Sequence, residues 1–176
     1  AGVLDHHKLP NMAVASRVHR FKALQDVVAS LAVDLPAADD GEDDESGKVA
    51  AASSKPVQVS EVALTCLSVL VPDAVIQQAL GIVDCKSIHL VTSQMGRKAY
   101  EVRGQKTSHF VLANGLYCSC PYFGRRVVEA GELCCKHWLA VQVAQRCGTG
   151  VGSTVTMQED EFLKWARQRM LGIQPA

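Results

Sequence analysis

The pattern Cys-x-Cys, followed after a spacer by Cys-x-His, is the feature that most constrains how this chain folds. The two pairs are Cys118 with Cys120 and Cys135 with His137. Thiolate sulfur and imidazole nitrogen are the donors that Zn²⁺ prefers, and three thiolates with one imidazole complete a tetrahedral shell. The pattern therefore predicts a structural zinc site, with no open position at which the ion could activate water.

The residues around each pair predict how the donors are presented. Pro121 follows Cys120 directly, so the first pair is expected on a tight turn or bulge with a rigid exit. Cys135 and His137 are two positions apart and cannot share one face of a regular helix. We therefore expect them where the chain enters a helix that continues through Trp138.

Three alternatives remain open at this stage. Cys134 could replace Cys135 as the third ligand, although the Cys-x-His spacing favours Cys135 and a buried apolar role for Cys134. A disulfide from Cys118 or Cys120 to Cys135 would need an oxidising compartment. The odd count of seven cysteines, without a recognisable secretory signal, indicates a reducing one. A catalytic Cys–His pair would leave the Cys-x-Cys element unexplained.

The rest of the chain contains no motif that indicates catalysis. Neither a GxxxxGK[ST] phosphate loop nor an HExxH motif occurs, and the only acidic cluster lies in a stretch that is too polar to hold catalytic geometry. The longest uncharged apolar run, Val62–Val71, is too short to cross a bilayer. We expect a protein that is not an enzyme, with no membrane partner and no small-molecule substrate.

Four regions are predicted along the chain. Residues 1–34 contain a frayed start and an amphipathic helix over Met12–Val33, whose apolar side chains recur every three or four residues: Val14, Val18, Phe21, Leu24, Val28 and Leu31. This helix either packs on the core or offers a detachable face to a partner. Residues 35–55 form an acidic linker that is expected to be disordered. Residues 56–147 form the folded core, and residues 153–172 form a C-terminal helix.

The fold class predicted for the core is α+β, with a small antiparallel sheet flanked by helices. Helices are expected over Pro56–Val71, with Pro56 in the first turn, and over Ala74–Leu80, ended by Gly81. Alternating apolar residues predict a hairpin of Ser87–Ser93 and Arg97–Arg103 and a third strand, His109–Ala113. The zinc finger, about residues 108–147, closes this sheet against the following helix.

One further helix is predicted between the two metal pairs, and another in the C-terminal tail. A short helix over Pro121–Ala130 should end at Gly131 and place Tyr122 and Phe123 beside the metal. In the tail, Thr156 and Glu159 fit a capping box, and Gly172 fits a helix end.

His89 and His109 fall on strands and are expected to be structural residues outside the site.

The net charge of the chain is zero, yet its basic residues are unevenly distributed. Between Gly81 and Cys147 there are nine Lys and Arg residues against four Asp and Glu residues. A simple solvated face accounts for such an excess, and so does a surface that meets DNA or an acidic partner. The candidate DNA or partner surface comprises Arg125, Arg126 and Lys136.

At this point the residues resemble a known family. CSCPYF at 118–123 and CCKHWLAV at 134–141, with the upstream segments Pro72–Asp84, Ser87–Ser93 and Gly96–Val102, resemble the zinc finger SWIM domain-containing protein 7 family. Its members are the SWIM-type subunits of Shu-type recombination complexes. The resemblance covers roughly residues 57–147. The Cys-x-Cys…Cys-x-His element alone is shared with plant transposase-derived factors and some ubiquitin ligases.

The resemblance implies a nuclear, non-enzymatic zinc adaptor that pairs with a RecA-like ATPase paralog. Such a complex supports recombinase filaments on single-stranded DNA during homologous recombination repair and meiosis. Two other functions remain open. The chain could be a direct DNA-binding zinc module of a transposase-derived regulator, or a substrate-recognition module for ubiquitin transfer.

Overall fold

The computed structural model describes residues 9–31, 60–112 and 114–172, with side chains in the first helix from residue 17 onward. The frayed start was predicted for residues 1–12; residues 1–8 lie outside the described residues, and residues 9–12 already belong to the first helix. The predicted linker at 35–55 also lies outside the described residues. The elements in chain order are α1 (Leu9–Ala29), α2 (Glu61–Leu70), α3 (Asp73–Asp84), β1 (Ile88–Ser93), β2 (Lys98–Arg103), β3 (Ser108–Leu112), a π-helix (Phe123–Glu129), α4 (Lys136–Cys147), β4 (Val151–Met157) and α5 (Glu159–Met170).

The sheet has four strands in the order β3-β2-β1-β4. The three predicted strands are confirmed and pair antiparallel, with Tyr100 of β2 opposite Leu90 of β1 on one side and opposite Val111 of β3 on the other. The hairpin turn between β1 and β2 contains Gly96 at φ +80°, a conformation that glycine adopts without a steric penalty. The α+β class with flanking helices is therefore confirmed.

The fourth strand corrects two predictions. Residues 151–157 form β4, which pairs parallel to β1, so the sheet is mixed rather than antiparallel. The C-terminal helix begins at Glu159 instead of residue 153. Thr156 lies in the strand, and Gln158 precedes the helix without a side-chain cap hydrogen bond, so the predicted capping box is wrong. The β-branched residues of this segment favour a strand once β1 offers it an edge.

Two predicted helix boundaries in the core are also wrong. Helix α2 begins at Glu61, because Ser60 is its N-cap and the Ser60 hydroxyl accepts a hydrogen bond from the Ala63 N–H at 3.3 Å; Pro56, where the helix was predicted to start, lies outside the described residues. Helix α3 continues through Gly81 to Asp84. Its buried face extends to Val83, and burying that side chain outweighs the cost of about 1 kcal/mol for a helical glycine.

The sheet is the middle layer of the fold. One face presents Ile88, Tyr100 and Val102 to a core that includes α3 and α4, whereas the other face packs Val91 and Phe110 against α5. Helix α1 contributes Leu24 and Val28 to the larger core, and Leu31 follows just after its end, so the helix packs on its own chain. Its predicted apolar stripe is wrong at Val18, which is 61% exposed. None of the described helices is both long and apolar enough to cross a membrane.

Candidate metal centre

The first cysteine pair lies against the outer edge of β3. Cys118 forms an isolated antiparallel bridge with Val111, and the Ser119 N–H donates to the Phe110 carbonyl at 2.9 Å. The Ser119 hydroxyl in turn accepts from the Phe110 N–H at 2.9 Å. Because successive residues of an extended segment face opposite sides, Cys118 and Cys120 both point into the protein. Both are buried, at 2% and 4% exposed.

The second pair lies at the start of α4, as the spacing predicted. Cys135 is the N-cap residue, and its sulfur accepts a hydrogen bond from the Trp138 N–H at 3.5 Å. His137 follows in the first turn and is 9% exposed. The Trp138 indole N–H donates to the Gly115 carbonyl at 2.9 Å, which ties the start of α4 to the loop before the first pair.

The structure brings the four donors to one point. Single ligand atoms of Cys118, Cys120, Cys135 and His137 all lie within 4.8 Å of one another, and the Cys118 sulfur is 3.8 Å from Nδ1 of His137. Donors around a tetrahedral zinc ion stand about 3.5–3.8 Å apart, as follows from metal–ligand distances of about 2.0–2.3 Å. The cluster could therefore hold a metal ion with little movement, and the three-sulfur, one-nitrogen donor set suits zinc.

Crowding of the three thiols shifts their pKa values in opposite directions. A hydrogen bond to Cys120, assisted by burial, raises the pKa of Cys118 well above its usual range. The hydrogen bonds that Cys118 and Cys135 donate lower the pKa of Cys120. A hydrogen bond with Cys118 lowers the pKa of Cys135, but the bond with Cys120 and burial outweigh it and raise the value to about 12. Metal binding at this cluster therefore displaces thiol protons.

Cys134 lies outside the cluster. Its side chain is 2% exposed within the larger core, and burial raises the pKa of its thiol. The structure thus places Cys135 with the other donors and Cys134 among apolar residues, as the spacing favoured.

One residue beside the cluster was missed by the sequence analysis. His109 of β3 is in ring contact with His137, with centroids 4.4 Å apart and planes inclined by 42°. Burial lowers the pKa of His109, and the nearby His137 lowers it further, so the neutral ring is favoured. The sequence analysis placed both His89 and His109 on strands and gave no signal that separated them; His89 bonds Ser153 on β4 instead.

The segment between the two pairs is helical as predicted, but it is wound as a π-helix over Phe123–Glu129. Gly131 follows at φ +77°. Phe123 is buried and meets Tyr117 edge to face at 5.9 Å between centroids. Tyr122 was predicted to shield the metal, yet it is 39% exposed, and its hydroxyl donates to Glu132 at 2.5 Å.

The predicted DNA or partner surface is spread over two places. Arg125 and Arg126 lie on the π-helix, where Arg126 forms an ion pair with Glu132 at 2.5 Å and Arg125 is exposed. Lys136 lies at the start of α4 and lines a different cleft, together with Arg103 of β2. Of the three predicted residues, Arg126 is therefore the one whose charge is paired with a neighbouring carboxylate.

Comparison with known proteins identifies similar sequences. Human zinc finger SWIM domain-containing protein 7 is 43% identical over 70 residues, which are 39% of this chain and 50% of the human protein. The chain resembles that protein over this segment. The Mus musculus protein of the same name is 41% identical over 70 residues, or 39% of this chain and 46% of its own length. The Danio rerio protein is 41% identical over 73 residues, or 40% of this chain and 52% of its own length.

These similarities confirm the resemblance to the zinc finger SWIM domain-containing protein 7 family that the metal pattern and its upstream segments indicated. The chain spans about half the length of the curated relatives that it matches. No family model matches the chain. No solved structure matches it either.

Proposed function

We propose that this chain is a non-enzymatic adaptor whose finger is folded around one zinc ion. The observation that carries the proposal is the convergence of four buried donors, Cys118, Cys120, Cys135 and His137, within 4.8 Å. Zinc binding by small fingers contributes about 10–16 kcal/mol, which equals or exceeds the ~5–15 kcal/mol stability of an ordinary domain. The ion therefore stabilises the connection between the edge of β3 and the start of α4.

The donor count argues against catalysis at this centre. Three thiolates and an imidazole fill a tetrahedral shell, so the ion would have no position for an activated water. Burial of all four donors further restricts access by a substrate. The role that remains for such a centre is structural: it keeps a partner-binding surface folded.

The partner and pathway follow from the family resemblance. We infer that the chain acts in the nucleus, within a Shu-like complex. There it pairs with a RecA-like ATPase paralog and promotes recombinase filaments on single-stranded DNA in homologous recombination repair and meiosis. The 41–43% identity to zinc finger SWIM domain-containing protein 7 supports this proposal. DNA contact is then made mainly through the complex.

The metal part of the proposal is tested by measuring zinc in reduced, natively purified protein. We expect one zinc ion per chain, and loss of both zinc and partner binding in Cys118→Ser and His137→Ala. Cys66→Ser is the matched control, because Cys66 is an exposed cysteine on α2 outside the cluster. Fully folded protein that contains no metal would contradict the proposal.

The adaptor part is tested with and without a RecA-like paralog. The chain alone should bind an oligo-dT strand weakly, whereas the purified complex should bind it in a salt-dependent manner. Tight binding by the isolated chain, falling steeply with salt and lost in an Arg125→Ala, Lys136→Ala variant with intact zinc, would instead indicate a direct DNA-binding module.

A further inference from the structure

The two faces of the sheet differ in how completely helices cover them. One face lies against the larger core, to which α1, α2, α3 and α4 all contribute buried side chains. On the other face, α5 is the single helix in the second core cluster of the described residues. Neighbouring strands lie about 4.8 Å apart and a helix with its side chains is about 10 Å wide, so one helix covers about half of a four-stranded sheet. Part of this face is therefore left for another element.

The part that α5 leaves free is a groove between this helix and β3, with a volume of about 470 Å³. Phe110 and Phe162, which are 2% and 5% exposed, form its apolar floor. Leu112 lines the side of the strand. The side of the helix is lined by three residues spaced three and four apart, and therefore on one edge of α5: Leu163, Ala166 and Met170. Clefts that bind ligands in proteins have volumes of about 300–1,000 Å³, so this groove is large enough for a binding site.

The apolar side chains along the groove are exposed to solvent. Leu163 is 47% exposed and Met170 is 43% exposed, although the other outward positions of α5 are mostly charged or polar. Leu171, directly after the helix, is 67% exposed. Single exposed apolar side chains are ordinary on a protein surface, whereas a contiguous row of them indicates an interaction site. The row beside this apolar floor is of the second kind.

The groove is positively charged at the end where β2 begins. Arg97 and Lys98 line it there, and no carboxylate is among the described residues that line it. Arg97 forms an ion pair with Glu159 at 2.6 Å, whereas Lys98 is exposed. Complementary charge across an interface fixes the orientation of a partner and disfavours wrong partners. A ligand of this groove is therefore expected to carry a carboxylate for Lys98 next to its apolar side chains.

We propose that this groove binds an acidic amphipathic helix of a partner protein, which packs beside α5 as the second helix on this face. Helices pack side by side with their axes about 8–10 Å apart, which matches the width that α5 leaves uncovered. The apolar stripe of the partner inserts beside Leu163 and Met170, as helices do in hydrophobic grooves. A carboxylate at the edge of that stripe meets Lys98. The groove is a binding site in addition to the metal centre and goes beyond the zinc adaptor function.

Two other occupants do not match the groove. A partner strand cannot extend the sheet beside it, because the outer edge of β3 is already paired with the first cysteine segment through the Val111–Cys118 bridge. The acidic segment of this chain, DDGEDDE at residues 39–45, provides carboxylates but no apolar side chain for the floor. A helix that combines both kinds of side chain satisfies the groove along its whole length.

The test measures the binding of two synthetic peptides to the full zinc-loaded chain by fluorescence anisotropy. Both peptides are helical, about four turns long, and carry leucine at every third or fourth position. One has glutamate beside the leucine stripe and the other has lysine. We expect the glutamate peptide to bind about tenfold more tightly.

Three substitutions locate the binding. Leu163→Asp should weaken binding of the glutamate peptide by about tenfold, because it places a charge in the apolar contact. Lys98→Glu should reverse the preference between the two peptides. Val69→Asp, the control, introduces the same charge at an exposed valine of α2 and should have no effect.

Several results would overturn the proposal. A glutamate peptide that does not bind, equal binding of both peptides, or unchanged binding in Leu163→Asp would each do so. So would a dimeric wild type whose mass, measured by light scattering, falls to that of one chain in Leu163→Asp, because a second copy would then occupy the groove. Zinc content and circular dichroism, measured on every variant, show that each is folded. Loss of peptide binding with zinc retained leaves the proposed zinc adaptor function intact.

Discussion

The imidazole of His109 lies against the imidazole of His137, with ring centroids 4.4 Å apart. His109 belongs to β3 and His137 to α4, so the contact joins the same two elements that the four donors join. It limits rotation of His137, whose Nδ1 is directed toward the Cys118 sulfur at 3.8 Å. We therefore expect Nδ1 to be the metal-facing nitrogen and His109 to position the His137 ring.

Removal of the His109 ring should therefore weaken metal binding without removing a donor. We expect His109→Ala to lower zinc affinity by about tenfold, in the range found for residues that orient metal ligands. His109→Phe retains a stacking ring and should keep most of the affinity. Competition with a chromophoric chelator measures both. Equal losses in the two variants would show that stacking is not the cause.

The neighbouring cysteines provide a matched pair of substitutions. Cys135→Ser should lose stoichiometric zinc, because the variant lacks one of the four clustered donors. Cys134→Ser should retain one zinc per chain and be destabilised by about 1–3 kcal/mol, the cost of a buried hydroxyl without an assigned partner. Metal analysis and thermal melts separate the two effects. Zinc loss in Cys134→Ser alone would reverse the ligand assignment.

A buried carboxylate attaches α5 to the sheet. Glu101 of β2 is 4% exposed, and its two oxygens meet Arg169 of α5 at 2.7 Å and Arg103 at 2.9 Å. Glu101→Gln removes the charge that compensates Arg169 and should cost about 3 kcal/mol in the free energy of unfolding by urea. Arg103 is 57% exposed, so Arg103→Ala should cost less than about 1 kcal/mol.

Glu129→Gln is the control for that experiment, because Glu129 is exposed on the π-helix. It should leave the unfolding free energy nearly unchanged. A loss in Glu129→Gln as large as that in Glu101→Gln would show that burial of the ion pair is not responsible.

Two glycines should respond to alanine in opposite directions. A Cβ at Gly152 would lie 2.2 Å from the Lys86 carbonyl oxygen, so Gly152→Ala forces the backbones apart between β4 and the start of β1. We expect a loss of about 1–3 kcal/mol. A Cβ at Gly81 meets nothing within 4 Å inside α3, so Gly81→Ala should stabilise by about 0.5–1 kcal/mol. Chemical denaturation of both variants under identical conditions provides the comparison, and a stable Gly152→Ala would contradict the close approach.

Three features set by residues near each other in the chain were predicted correctly. The alternation of apolar residues gave the three strands β1, β2 and β3, and the glycine at position 96 gave their first turn. The Cys-x-His spacing placed Cys135 at the start of a helix. Each of these depends on backbone geometry over a few residues, which the order of side chains specifies directly.

Features that depend on partners distant in the sequence were missed. The residues around Thr156 fit both a helix cap and a β-strand, and it is their pairing with β1 that makes them a strand. The exposure of Val18 depends on which face of α1 meets the core.

The sequence by itself determined the donor set of the metal centre, because the chemistry of sulfur and imidazole is carried by residue type and spacing. The tertiary structure alone decided which surfaces surround that centre: the His109 ring beside His137 and the cysteine segment along β3. These contacts arise from packing between elements, and packing is decided by the whole folded chain rather than by any local stretch.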